Sequence, residues 1–304
     1  MSSLHRPRVG LALGSGSARG WAHVGVIRAL ERAGVQPDLV CGTSIGALVG
    51  AAYAAGELES FENWLRGLSF SDVLSFMDVH LSGGVIKGER LMEFFRRSFV
   101  DRPIENLAKP FAAVSTALHN GAEVWLREGS TIEAVRASIA LPALFTPVVR
   151  EGRILVDGAL VNPVPVSLAR AMGADIVIAV DLSSDLLGRH LREEPEVEPE
   201  VPVTEVSEWR RKLQENLSAF IPENSDDEPE LPSMLDVVAN SINIMQVRIS
   251  RSRMAGDPPD VIVAPRLAHL GLLDFHRSKE AIEEGERAVE AALPSLNALF
   301  NLLR

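Results

Sequence analysis

The sequence predicts an α/β protein of three layers, a mainly parallel central sheet with helices on both faces. Three observations carry that expectation. Two short apolar runs, residues 8–13 and 39–41, each pass through a glycine-rich turn into a helical pattern, the strand–turn–helix unit that builds parallel sheets. Residues 175–180, DIVIAV, form a continuous apolar run of the kind buried on both sides of such a sheet. The chain is also long and apolar enough for a large core, with 46% hydrophobic residues among 304.

Taken in order, residues 8–13 read as the first strand. Residues 21–33 follow as a helix, with Val24, Ile27, Leu30 and Ala33 at helical spacing and Gly34 as the stop. Residues 39–41 are a second strand and 45–55 a second helix, ended by Gly56. The stretch 39–56 has eighteen uncharged residues, a length at which a membrane span comes into question. Its four glycines and the Thr43–Ser44 pair divide it, so it reads as a buried strand, a turn and a buried helix.

Residues 59–88 show no clean period; short helices forming a rim or lid and ordinary core packing both fit. Residues 89–99 return to helical spacing, with Leu91, Phe94, Phe95 and Phe99 on one face. Residues 111–118 and 122–126 read as paired strands around the polar turn 119–121. Ser130, with Glu133 three positions on, has the pattern of a capping box opening a helix at 131–139. A helix at 166–172 closes with Gly173. Beyond the strand 175–180 come a long helix at 234–253, a strand at 261–264 and a helix at 279–292. The expected organisation is one domain, 1–304, with core segments 8–182 and 235–292 separated by an acidic, mobile insertion at 183–234.

Charge supports that division. The chain carries 41 acids against 30 bases, a net charge of -11, and residues 183–230 alone hold 14 acids and 5 bases. The rest is close to neutral, and neither part has the basic footprint of a nucleic-acid binder. Within the insertion, REEPEVEPEVPVTE and PENSDDEPELP flank an amphipathic stretch at 206–220 with Trp209, Leu213, Leu217 and Phe220 on one side. That stretch and residues 60–81 are candidates for a lid or for contact with a bilayer; core cover is the equal alternative. Cys41 is the single cysteine, which excludes an internal disulfide, and its apolar strand favours a buried thiol. The N-terminus lacks the apolar core of a signal peptide, so the expected location is cytoplasmic or membrane-peripheral, with no spanning segment.

Gly42-Thr43-Ser44-Ile45-Gly46 is a G-x-S-x-G pattern between a buried strand and a small-residue helix. A serine on so tight a turn projects its hydroxyl from the sheet edge, at a helix N-terminus where amides favour negative charge. A purely structural turn fits the same five residues. The earlier turn, Gly14 to Gly20 (GSGSARG), is a poor dinucleotide fingerprint: its third glycine is misplaced and the second strand ends in Gly42-Thr43-Ser44 rather than an acid. As an oxyanion hole it is better suited, with Gly16 and Ser17 as candidate donors. Arg19 is a candidate for bracing that loop or meeting an anionic substrate, beside an ordinary surface ion pair. Asp157 follows a short apolar strand and precedes Gly158, at a strand end that parallel topology could bring to Ser44; capping of its own turn is the alternative. His269 and His276 fall late enough to serve as a base in the Ser–Asp–His order but lack strand-end context.

Together, GSGSARG, GTSIG and DGA at Asp157–Ala159, with ASIALPALFTPV at 137–148 and the continuation through Asn162, Pro163 and Pro165, resemble the patatin-like phospholipase family. Ser15 and Ser17 stand where that family's loop more often has glycine, and the variant is similar to a bacterial serine acyl hydrolase subgroup. The resemblance spans about 8–182 and resumes at about 235–292. It implies a patatin-like fold and hydrolysis of lipid carboxylic esters, phospholipid or lysophospholipid, by a Ser44–Asp157 dyad with Gly16 and Ser17 as the oxyanion hole. No cofactor and no metal is implied. The implied partners are a lipid or acyl-ester substrate and peripheral membrane contact, with no nucleic acid and an open oligomeric state. A catalytically silent regulatory or interaction protein on the same fold is the competing reading.

Overall fold

The computed structural model describes residues 6–69, 71–72, 101–142, 144–186 and 234–302. They fall in two compact units, Met1–Leu187 with Ser241–Arg304, and Gly188–Asn240, of which only 234–240 are described. The expected helices at 89–99 and 206–220, and the acidic runs, lie outside the described residues.

The chain runs β1 (Val9–Leu13), a 3-10 turn (Ser17–Trp21), α1 (Ala22–Arg32), β2 (Leu39–Thr43), α2 (Ile45–Ala54) and α3 (Leu58–Gly67). It continues with β3 (Phe111–Ala117), β4 (Glu123–Leu126), α4 (Thr131–Ser138), β5 (Val148–Arg150), β6 (Arg153–Asp157), α5 (Val166–Ala171) and β7 (Ile176–Val180). The last elements are α6 (Met234–Gly256), β8 (Val261–Val263) and α7 (Ser278–Leu302). Most expected elements appear within two residues of their expected ends. The exceptions are β5, which no sequence signal marked, α6, which ends three residues past position 253, and α7, which runs ten residues past position 292 and carries Pro294 inside it. Ser130 does cap α4, its hydroxyl accepting the Glu133 amide at 3.1 Å.

The described strands form one sheet in the order β5-β6-β3-β2-β1-β7-β8, with β4 also on β3. The β3-β2-β1-β7-β8 portion is parallel throughout, whereas β4, β5 and β6 are antiparallel additions. Strand alternation sorts the core into two layers. Leu11, Leu13, Val40, Phe111, Ile176 and Ile178 face the cluster containing α1, α2 and α7, while Ala12, Cys41, Ala112, Val114, Val177 and Ala179 face α5. The result is a mixed α/β fold with helices on both faces of its sheet.

The N- and C-terminal helices lock together unusually closely. A Cβ on Gly25 of α1 would lie 1.9 Å from the Ile282 carbonyl oxygen of α7. Backbone-to-backbone contact of that kind admits only glycine. Gly25→Val is therefore expected to force the helices apart and cost about 1–3 kcal/mol, read as a lowered Tm. Gly67→Ala, where nothing lies within 4 Å of the added carbon, serves as the control and should leave Tm within the range of a surface change.

Candidate active site

The C-terminal ends of the parallel strands β1 and β2 deliver the glycine-rich turn and Ser44 to one edge, whereas Asp157, expected at a parallel strand end, closes β6, which runs antiparallel to β3. β2 passes directly into α2, and Ser44 at the junction holds φ 57° and ψ -124°. Such a conformation costs a non-glycine residue about 1–3 kcal/mol and persists only where its surroundings enforce it. The close approach of Gly46 does so: a Cβ there would lie 2.2 Å from the Leu13 carbonyl oxygen. The Ser44 amide donates to Ser138 Oγ at 2.9 Å, and that hydroxyl donates to the Val114 carbonyl at 2.6 Å. The elbow is thus tied to both α4 and β3.

Asp157 arrives from the opposite direction. On β3, Ala113 and Val114 pair with β4 and β2, while Ser115 and Thr116 pair with β4 and β6. Because β4 fills one edge, β2 and β6 share the other. Thr43 faces Val114 and Asp157 faces Ser115, so the two strand ends abut. Positions 113 apart in sequence then join: Ser44 Oγ donates to Asp157 Oδ2 at 2.6 Å. The other carboxylate oxygen accepts the Ala159 amide at 2.8 Å, and Thr116 Oγ1 donates to the Asp157 carbonyl at 2.8 Å.

The Asp157 carboxyl is fully buried. Burial pushes its pKa from 3.8 up to about 7, against the opposing pull of the hydrogen bonds from Ser44 and Ala159. A carboxylate that titrates near neutrality is a stronger base than an ordinary aspartate while remaining ionised in part at neutral pH.

The glycine-rich turn completes the edge. Gly14 donates to the Val180 carbonyl at 3.0 Å and Ser15 to Pro163 at 2.8 Å, which fixes the loop to β7 and to the segment after β6. The amides of Gly16 and Ser17 have no acceptor among the described residues. They stand at the start of the 3-10 turn, where helix geometry leaves donors open. Ser17 occupies the left-handed region at φ 52°, and its hydroxyl donates to the Leu272 carbonyl. Arg19 is buried and braces the loop rather than forming a surface ion pair. Its Nε donates to the Gly16 carbonyl at 3.1 Å and its terminal nitrogen to Asn243 Oδ1 at 3.0 Å, with burial lowering its pKa to about 10.

Ser44, Asp157, Gly16 and Ser17 all line one cleft of about 1000 Å³, part of it open to solvent. Its remaining wall is largely apolar, including Trp64, Leu141, Phe145, Ile242, Leu272 and Phe275. That combination of a few convergent polar groups in an apolar cleft suits a hydrophobic ligand with one reactive polar point. His269 instead pairs with Glu280 at the surface, and no histidine among the described residues lines the cleft. Cys41 is buried, its thiol donating to the Pro165 carbonyl at 3.3 Å, and burial pushes its pKa up.

Two supporting residues escaped the sequence reading. His23 is fully buried under the loop, its Nε2 hydrogen-bonded to the Gly14 carbonyl at 2.7 Å. Burial lowers its pKa to about 4, so at neutral pH the ring is uncharged and Nε2 is the donor. Its place one helical turn after Arg19 was a usable signal. Ser138 gave none, since only the folded chain brings α4 against the elbow.

Residues 11–170 match the family model described as patatin-like phospholipase. An uncharacterized NTE family protein of Mycobacterium tuberculosis is 32% identical over 94% of this chain and 91% of its own length. Human patatin-like phospholipase domain-containing protein 6 is 36% identical over 184 residues, 58% of this chain but 13% of that larger protein. The crystal structure of VipD from Legionella pneumophila has the same fold at 14% identity and a TM-score of 0.56, covering 95% of this chain and 67% of that one.

The raised pKa of Asp157 has a thermodynamic signature. A carboxyl whose pKa is higher folded than unfolded gives stability that is full below pH 3.8 and lost as pH rises through about 7. Asp157→Asn removes that loss. In urea titrations its stability relative to wild type is expected to climb between about pH 4 and 7 and to level off above that; a gap independent of pH would show that the carboxyl titrates normally.

Proposed function

The chain belongs to the patatin-like phospholipase family, and from that premise we propose that it hydrolyses carboxylic esters of lipids, phospholipid or lysophospholipid acyl esters first among them. Ser44 is the nucleophile and Asp157 its base. The 2.6 Å hydrogen bond between them, at the wall of an apolar cleft, is the observation that carries this reading.

The steps follow from the contacts. Asp157 Oδ2 takes the Ser44 proton as Oγ attacks the ester carbonyl carbon. The oxygen that becomes negative lies toward the Gly16 and Ser17 amides, and one such donor is worth about 3 kcal/mol in the transition state. Collapse of the tetrahedral intermediate breaks the ester bond, and the proton held by Asp157 passes to the departing alcohol. Water then attacks the acyl-enzyme, giving its proton to Asp157, and Ser44 recovers its proton as the fatty acid leaves. Burial keeps water from weakening the carboxylate, and Arg19 and His23 hold the loop through the Gly16 and Gly14 carbonyls without entering the chemistry.

Among the described residues no helix is long and apolar enough to cross a membrane, which agrees with peripheral contact as the route to a lipid substrate. The silent reading draws on no specific contact. The two separate on a panel of short esters, lysophospholipids and diacylphospholipids. Wild type should turn over at least one lipid ester, and Ser44→Ala and Asp157→Asn should each lower kcat by about ten-thousandfold. A serine-reactive fluorophosphonate should label Ser44. Unchanged rates in both variants, or an inert Ser44 in a folded protein, would overturn the reading.

A further inference from the structure

Beyond Ser241, α6 shows two different faces. One packs inward: Val247 and Ser250 are buried, and Ile242 and Gln246 line the cleft. The other, about a third of the circumference at 100° per residue, is exposed and carries Ile244, Met245, Arg248 and Arg251. Ile244 and Met245 are 51% and 48% exposed. Neither Arg248 nor Arg251 pairs with a carboxylate among the described residues, whereas Arg253, outside the arc, is held by Glu123 at 2.8 Å. Single exposed apolar residues are ordinary on any protein. Two adjacent ones beside two unpaired guanidiniums, on a helix that walls the cleft, form a surface of mixed and definite chemistry.

Charge selects the occupant. A chain of net charge -11 is repelled as a whole by an anionic surface, so a local pair of free arginines decides which side approaches one. Apolar side chains flanked by arginines on one helical face fit the boundary between acyl chains and phosphates. We propose that this face of α6 is the surface by which the protein rests on an anionic lipid bilayer. Ile244 and Met245 enter the acyl boundary, and Arg248 and Arg251 meet the lipid phosphates. The relevance of the contact rests on the acyl-ester reading: the helix that meets the bilayer on this face lines the cleft with Ile242 and Gln246 on its other face.

The test is co-sedimentation of the full chain carrying Ser44→Ala with vesicles of phosphatidylcholine alone or mixed with phosphatidylglycerol. Binding should require phosphatidylglycerol and weaken with salt. Each basic residue near such a surface contributes about fivefold, so Arg248→Glu with Arg251→Glu should reduce binding by about thirtyfold or more. Arg248→Lys with Arg251→Lys should preserve it, and Ile244→Ser with Met245→Ser should weaken it at low and high salt alike. Unchanged melting temperatures would show that the exposed substitutions leave the fold intact. Absence of wild-type binding, or binding by the glutamate and serine variants as strong as that of the parent chain, overturns the proposal. So does sedimentation velocity showing that these substitutions dissociate a dimer while vesicle binding persists, which would assign the face to a second copy of the chain. Because binding is read without Ser44, loss of the ester-hydrolysis reading and loss of this one are separate results.

Discussion

The candidate site depends on two strands meeting end to end along one edge of a third. β2 and β6 approach β3 from opposite directions and stop at consecutive positions, Val114 and Ser115. This pairing register, rather than any local motif, brings Ser44 against Asp157. A slip of one residue would turn the Asp157 side chain to the other face of the sheet. The remaining contacts protect that register: Thr116 holds the Asp157 carbonyl, the Ala140 carbonyl accepts the Asp157 amide, and Ser138 holds the Ser44 amide.

The electrostatics follow from the same junction. A strand end inside the sheet is shielded from water on both faces, so the carboxyl at that position is dry and has few donors. Burial therefore outweighs the two hydrogen bonds made by Asp157. Gly16 and Ser17 line the same cleft, and their amides have no acceptor among the described residues. Arg19 contributes to that arrangement only through the Gly16 carbonyl, which leaves its charge buried beside Asn243.

Much of this was legible in the sequence because it is local. The strand–turn–helix units, the G-x-S-x-G elbow and the Ser130 cap each depend on a few adjacent residues whose backbone demands are specific. Asp157 was legible only as a candidate, since its meaning depends on a partner 113 positions away. The surroundings of the site were less visible. β5 is three residues long and carries exposed Val149, so it lacks the alternation of a core strand. α7 continued past its expected end because its apolar stripe, reaching Leu296 and Phe300, outweighs the local cost of Pro294. His23 and Ser138 show the limit from the other side: both are common residue types whose role comes from what the fold places against them.

The bonds of the glycine-rich loop also bear on how the protein is made. A loop near residue 16 takes its hydrogen bonds from Pro163, Val180 and Leu272, and α1 closes on α7 at Ile282. Synthesis from the N-terminus delivers the serine early and the supports of its loop well after it. A partly translated chain therefore holds every reactive atom of the candidate site with no scaffold to align them. Alignment of the elbow and its loop therefore waits on contacts made by Leu272 and Ile282, long after Ser44 itself has been made.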